Sequence, residues 1–357
     1  MDDKILITTD SGARVEAHAP VIVSASRATD IPAFYARWFV NRLAKGYAVW
    51  YNPFNGRPMY VSFGNTRVVV FWSKNPKPLI PYLRELDDRG VHYYFQFTLN
   101  DYEREGFEPG APPLNERIDT FRALSDRIGK EKVIWRFDPL LLAPTLTPGR
   151  LLEKIRGVGD RLKGYTDKLV FSFVDVKVYR KVRNNLVKET AFFTEDNVEN
   201  AEPNGEQRRE IAEGLAGMCE RWKSEGWDVS PATCAEQMDL EQYGIGHNRC
   251  IDGELMRRIF SGDEDLMYYL SCGRLPDRNA LFAGDVSLKR ADRKDRGQRA
   301  ACGCMASKDI GMYNTCPHHC VYCYANASRE TVRNNASLFD VESESIITRR
   351  NDGNRRT

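Results

Sequence analysis

Between residues 68 and 232, short apolar runs alternate with longer segments whose apolar residues return every third or fourth position. The runs 68–72, 93–99, 133–138, 169–175 and 227–232 read as strands, and 21–26 adds one before them. The segments 78–88, 114–128, 148–162 and 206–224 read as helices. In 114–128 the residues Ile118, Phe121, Leu124 and Ile128 fall on one stripe. A helix over 31–45 follows the first strand, with Thr29 or Asp30 as its cap, Pro32 in its first turn and Gly46 at its end. Two short strands, 47–51 and 59–63, flank a turn at 52–56. A polar stretch over 177–205 interrupts the alternation. Beyond 235 the pattern fades into a helix or turn at 236–246 and short helices at 253–260 and 263–271.

Counted from Val21, six strands alternate with helices, which implies parallel strands covered by helices. A barrel and a doubly wound sheet both satisfy that pattern. Alternation inside the strands favours a barrel with a polar interior. Gln96, Thr98 and Asn100 share a face opposite Phe95, Phe97 and Leu99, and Arg136 and Asp138 lie opposite Trp135 and Phe137. The expected fold is therefore α/β, a partial TIM-like (β/α)6 barrel followed by a C-terminal segment rich in cysteine. Its parts are an N-terminal arm (1–20), the barrel with a helical extension (21–273), a basic connector with a cysteine loop (274–330) and a poorly ordered tail (331–357). The connector carries Arg274, Arg278, Lys289, Arg290, Arg293, Lys294, Arg296 and Arg299.

Composition narrows the class. The chain has 357 residues, 42% hydrophobic and 29% charged, as an ordinary globular protein does. A net charge of +2 does not by itself argue for nucleic acid. No run approaches 18 apolar residues, so no membrane partner is expected. Met1-Asp2-Asp3-Lys4-Ile5 lacks the features of a signal peptide. The expectation is a cytoplasmic protein, where clustered thiols bind metal rather than pair as disulfides. Nine cysteines, an odd number, also defeat complete pairing.

Five of those nine fall between Cys302 and Cys323. Cys316, Cys320 and Cys323 stand at spacing C-x3-C-x2-C. Three thiolates there can hold three irons of a [4Fe-4S] cluster and leave the fourth iron open to a substrate or cofactor. Cys302 and Cys304, with Cys234 and Cys250, are candidates for a second cluster or a zinc ion; the alternative is that Cys234 and Cys250 are small buried residues. Cys219 and Cys272 read as structural. At the strand ends, Arg27 and Lys74 are candidates for an anion such as a cofactor carboxylate, beside Ser26. Gln96, Thr98, Arg136 and Asp138 would line the interior, with Arg136 and Asp138 as either chemistry or a structural ion pair. His318 and His319 either bond the cluster sulfurs or are exposed. Lys177, Arg180, Lys181, Arg183 and Lys188 meet an anion or form a solvated loop. No glycine-rich phosphate loop occurs.

Cys316-Pro317-His318-His319-Cys320-Val321-Tyr322-Cys323-Tyr324-Ala325, with an aromatic residue before the last cysteine, resembles the cluster loop of the radical S-adenosylmethionine enzymes, in particular the spore photoproduct lyase-like branch. Trp72-Ser73-Lys74-Asn75-Pro76, residues 112–129 and Arg136-Phe137-Asp138-Pro139-Leu140 are similar to later parts of that branch. One departure is large: in those enzymes the loop follows the first strand, whereas here that strand ends in Ser24-Ala25-Ser26-Arg27-Ala28-Thr29-Asp30 and the loop comes last. From 20 to 330 the chain is similar to the bacterial family of domain-of-unknown-function 1848.

The resemblance implies S-adenosyl-L-methionine as a second cofactor and Cys316, Cys320 and Cys323 as cluster ligands, with Tyr322 beside the cofactor. It also implies an electron donor such as flavodoxin or ferredoxin, and a small-molecule or nucleobase substrate. Two readings from other classes stand beside it. One is a nucleic-acid-binding protein with a structural metal, which predicts bound zinc and salt-dependent binding. The other is an electron-transfer iron–sulfur protein with every iron held by the chain.

Overall fold

The computed structural model describes residues 3–277, 294–295 and 297–348. The chain opens with β1 (Asp3–Thr8), β2 (Arg14–Ala19) and β3 (Ile22–Ala25), followed by α1 (Ile31–Phe34), α2 (Ala36–Lys45), β4 (Tyr47–Tyr51) and β5 (Pro58–Ser62). Then come β6 (Val68–Ser73), α3 (Leu83–Asp87), β7 (His92–Thr98), α4 (Leu114–Ile128), β8 (Val133–Arg136), α5 (Pro148–Leu162) and β9 (Lys168–Phe171). The last part holds α6 (Arg180–Glu189), α7 (Gly205–Ser224), β10 (Ser230–Thr233), β11 (Gly246–His247), α8 (Gly253–Ile259), α9 (Glu264–Cys272), β12 (Lys308–Asp309) and α10 (Arg329–Ala336).

The strands form two sheets. The larger runs β11-β10-β9-β8-β7-β6-β3-β12, with every neighbour parallel. Its six inner strands are the six expected from the alternation, in chain order, so the α/β class with a large parallel sheet holds. The smaller sheet runs β1-β2-β5-β4. Residues 1–20, expected as an arm, supply two of its strands from Asp3 on, because Ala17 and Ala19 of β2 bury one face and His18 pairs with Val61 of β5.

Period-two side-chain placement splits the large sheet into two faces. Phe71, Phe95, Phe97, Trp135 and Phe171 pack with α2, α4, α5 and α7 in the larger core. Val68, Val70, Tyr94, Ile134 and Val170 point the other way, against α8, α9 and residues 302–305. Among the described residues no hydrogen-bonded pair joins edge strands β11 and β12. One contact does cross the second face: Met305 N donates to Ile251 O (3.1 Å).

Local signals explain the helix limits. Thr147 caps α5 by accepting from Arg150 N, with Pro148 in the first turn, and Asn204 and Gln207 form a capping box on α7. The helix expected over 31–45 breaks at Tyr35 (φ −129°, ψ 22°), whose hydroxyl donates to Thr315 O at 2.5 Å. The polar stretch 177–205 contains α6, which buries only Val182 and Leu186 and so leaves too narrow a stripe to read. Residues 331–348 are not a loose tail. Trp38 Nε1 donates to Ser343 O (2.9 Å) and Val49 N to Glu344 O (2.7 Å), folding this segment onto α2 and β4. Arg278, Lys289, Arg290, Arg293 and Arg296 of the connector, and 349–357 of the tail, lie outside the described residues. Among the described residues no helix is long and apolar enough to cross a membrane.

Candidate metal centre and the polar face of the sheet

The cysteine loop reaches the sheet by extending it. β12 pairs with β3 through Lys308↔Val23 and Asp309↔Ser24. Asp309 then accepts from Arg27 N and Gly311 N, both at 2.8 Å. Gly311 passes so close to Ser26 that a Cβ would lie 1.9 Å from its Oγ, which only glycine permits. Ser26 Oγ is buried and accepts from Ala28 N at 2.8 Å. From there the chain crosses to Thr315, under which Tyr35 sits, and enters the loop at Cys316. The loop therefore lies at the C-terminal ends of β3, β6 and β7.

A buried polar network holds it there. Lys74, just past β6, donates from Nζ to Glu108 Oε1 (2.8 Å) and to the Tyr322 hydroxyl (3.0 Å). Asn100, just past β7, donates to the same two oxygens at 2.8 and 3.0 Å. Arg117 Nη1 reaches Glu108 Oε2 at 3.0 Å, and Tyr322 donates its hydroxyl to Glu108. Burial works to raise the Glu108 carboxyl, but Lys74 and Arg117 outweigh it and hold it down to about 2. Burial likewise opposes the Lys74 ammonium, and Glu108 with Cys320 reverses that, leaving it raised.

A second anchor is Asp30. Its carboxylate accepts from Ser73 Oγ, Lys74 N and His318 Nε2, all at 2.7 Å, and also caps α1 through Ala33 N. His318 is buried at 2% exposure, against the expectation that it is exposed. Its other nitrogen, Nδ1, lies 3.1 Å from Gly110 O. Gly110 is pressed against the loop backbone; a Cβ there would lie 2.3 Å from Pro317 O.

The three thiols are strongly perturbed. Burial, then the Asp30 carboxylate and the two other thiols, pushes Cys316 well up. Burial drives Cys320 up to about 12 despite Lys74, and Cys323 also rises through burial. Burial alone does the same to Cys219, so the shifts show only that negative charge on these sulfurs needs a compensating cation. Ala325 N donates to Cys323 Sγ at 3.3 Å, as backbone amides do around ligating sulfur. Among the described residues only Asp239, Glu241 and His247, all exposed, bring three ligand atoms within 4.8 Å of one another. The sulfurs of Cys316, Cys320 and Cys323 are therefore not all within 4.8 Å of one another.

On the sheet face opposite the helices, Arg136 is 4% exposed and sits between three groups. Its Nη2 pairs with Asp138 Oδ2 at 2.5 Å, and its Nη1 donates to Gln96 Oε1 (3.2 Å) and Cys250 Sγ (3.1 Å). Burial would raise the Asp138 carboxyl, but Arg136 and the Ser172 hydroxyl hold it below the usual range. Gln96 Nε2 donates to Cys250 O at 3.1 Å. Thr98 pairs in register with Arg136. Cys234 and Cys250 place their sulfurs 3.5 Å apart, and Cys304 Sγ accepts from Cys250 N at 3.1 Å. Hydrogen bonds from Cys304 hold Cys302 down to about 7, while the Cys250 contact and burial push Cys234 well up. Arg27 stacks over Trp72 at 5.1 Å and lies 3.8 Å from Asp295 Oδ2; its Nη2 is buried without a hydrogen bond.

The expected site residues thus fall into two groups. Ser26, Lys74 and Tyr322 gather with Cys316, Cys320 and Cys323 at the strand ends. Gln96, Arg136 and Asp138 gather with Cys234, Cys250, Cys302 and Cys304 on the sheet face, and Thr98 shares it. Arg136 pairs with Asp138 and also donates to sulfur, an arrangement that both the structural and the chemical reading of the pair allow. Sequence reasoning missed Asp30, Glu108 and Arg117 as site residues. Asp30 carried a signal as a helix cap next to a strand end; Glu108 carried none, since Lys74 and Tyr322 lie 34 and 214 positions away, and Arg117 acts only through Glu108.

No curated protein and no solved structure matches the chain. A family described as a domain of unknown function, DUF1848, matches residues 22–325, a span that takes in both cysteine groups. By that match the chain belongs to the DUF1848 family.

Proposed function

We propose that the chain is an iron–sulfur enzyme of the radical S-adenosylmethionine type, with Cys316, Cys320 and Cys323 as ligands of a [4Fe-4S] cluster that has one open iron. The observation that carries this reading is the seat of the C-x3-C-x2-C loop over the C-terminal ends of parallel strands, where α/β proteins assemble their sites. We read the large sheet as a partial (β/α)6 barrel, because Cys250, beyond edge strand β11, reaches Arg136 of β8 across its second face and Met305, just before edge strand β12, bonds Ile251 there.

When bound, the cluster and S-adenosyl-L-methionine would supply reductive cleavage of the sulfonium and the start of radical chemistry on a substrate. The chain's own residues have separate tasks. Lys74, Asn100 and Glu108 fix Tyr322, and through it the stretch from Cys320 to Cys323. Asp30 fixes His318 between Cys316 and Cys320. The Lys74 ammonium, held charged by Glu108, lowers the cost of negative charge on the nearby Cys320 sulfur. Arg27, with its buried free Nη2, offers a donor to a cofactor carboxylate. The dry surroundings of Cys320, 8% exposed, exclude water from reactive intermediates. The substrate is a small molecule or nucleobase, and an electron donor of the flavodoxin or ferredoxin kind would serve the cluster.

The test is anaerobic reconstitution with iron and sulfide, reduction, addition of S-adenosyl-L-methionine and chromatography for 5′-deoxyadenosine. The expected result is 5′-deoxyadenosine from the intact chain and none from Cys320→Ala. A fully loaded, reduced protein that forms none overturns the reading.

A further inference from the structure

We propose that Cys234, Cys250, Cys302 and Cys304 together hold a second thiophilic metal centre, and that this centre clamps β11 and β12, the two edges of the parallel sheet, which no backbone pair joins among the described residues. The proposal goes beyond the reading of the C-x3-C-x2-C loop and does not need it. The ligand chemistry is four cysteine thiolates, which serve one zinc ion or one iron–sulfur cluster equally.

Four observations converge. First, the thiols come from separate places: Cys234 follows β10, Cys250 follows β11, and Cys302 and Cys304 precede β12 on the opposite edge. Chance packing of small residues does not require four of one kind from three segments. Second, Cys234 and Cys250 place their sulfurs 3.5 Å apart, and Cys304 Sγ sits against the backbone N of Cys250 at 3.1 Å. The first distance is too long for a disulfide and close to the edge of a tetrathiolate site. No three of the sulfurs yet lie within 4.8 Å of one another, so ligation draws the chain together or opens it around a cluster.

Third, nitrogen donors are aimed at the sulfurs. Arg136 Nη1 (3.1 Å) and Asn248 Nδ2 (3.4 Å) point at Cys250 Sγ, and Cys250 N (3.1 Å) and Ile251 N (3.5 Å) point at Cys304 Sγ. A neutral thiol is a weak acceptor, whereas a metal-bound thiolate is a good one and takes such donors as its supporting shell. Fourth, Asn248 is 4% exposed and its Oδ1 has no hydrogen-bond partner, so a polar group is left facing this region. The charge also fits. Four thiolates around a divalent ion carry a net negative charge beside the buried Arg136, and ligation releases the thiol protons.

The clamp follows from connectivity. Met305 N already bonds Ile251 O, and Lys308 and Asp309 pair with β3. A metal between Cys250 and Cys304 would join those two contacts into one closure.

Metal and sulfide analysis of the full chain tests this. The variant Cys316→Ala, Cys320→Ala, Cys323→Ala isolates the second centre from the first. It is expected to retain either about one zinc or about four irons with sulfide per chain, and to lose that metal when Cys250→Ser and Cys304→Ser are added. Absence of metal from the triple variant, or metal that survives the added changes, overturns the proposal. Failure of the S-adenosylmethionine chemistry leaves both readings of this assay unchanged. Should the serine variants prove insoluble, alkylation mapping of the wild-type chain decides. Cys234, Cys250, Cys302 and Cys304 are expected to become reactive on metal stripping under native conditions, and equal reactivity before and after stripping overturns the proposal.

Discussion

Lys74 and Tyr322, 248 positions apart in the chain, meet at 3.0 Å over a shared carboxylate, Glu108. That contact joins the end of a central strand to the residue immediately before Cys323. The geometry of the cysteine loop is therefore set by groups that are not cysteines.

Removing the shared charge should be costly. Glu108→Gln leaves Lys74 and Arg117 buried without their anion, and breaking a buried pair of this kind costs about 3–5 kcal/mol. Urea unfolding of the variant against the wild type measures it, and a loss below about 1 kcal/mol would show the network to be incidental.

The same carboxylate predicts a pH dependence. Its folded value, about 2, lies below its ordinary 4.5. Its contribution is thus fully present above that ordinary value and is lost as pH falls toward about 2. The stability gap between wild type and Glu108→Gln should narrow below pH 4.5 and stay constant between pH 6 and 8. A gap that widens on acidification contradicts the assignment.

Much of the fold was legible in the sequence. The strands 93–99 and 133–138 alternate with period two, so their aromatic residues marked the helix-covered face. The helix 114–128 is bounded by Pro113 and by Gly129 (φ 95°), and its predicted limits match those observed. The second sheet was less legible, because β2 pairs with β5 through a single register position and nothing local announces it. In the site, the cysteines announced themselves by spacing. Glu108 did not: it stands in an irregular loop, and its role exists only through Lys74, 34 positions before it, and Tyr322, 214 after it. Tyr35 stayed hidden for the same reason, since its hydroxyl serves a loop 280 positions away.

Backbone contact should matter at Gly110. Gly110→Ala puts a Cβ 2.3 Å from Pro317 O and 2.8 Å from His318 Cα, so the loop has to shift. A destabilisation of about 1–3 kcal/mol is expected, with lower iron uptake by the loop. Gly149→Ala, with open space at the Cβ, is the control and should stay within about 0.5 kcal/mol of wild type. Thermal melts and iron assays of the two variants read the difference.

Tyr322→Phe separates positioning from ligation. It removes the hydroxyl that meets Lys74, Asn100 and Glu108 and should cost about 1–3 kcal/mol. Because no ligand is lost, iron content should match wild type in the purified protein. Loss of iron on the scale of Cys320→Ala would mean that the phenol does more than hold the loop.

The union of β3 with β12 has a consequence for how the protein is made. Arg27 meets its partner Asp309 only after 282 more positions have been synthesised. Until then the nascent sheet leaves the ribosome with a naked edge at its first parallel strand, a hazard for sticking to other chains. Every cysteine of the C-x3-C-x2-C loop is translated after all the strands of both sheets. On the proposed iron–sulfur reading, cofactor insertion is ordered in time behind the sheets, and a product truncated before the loop would carry the strands without those three ligands.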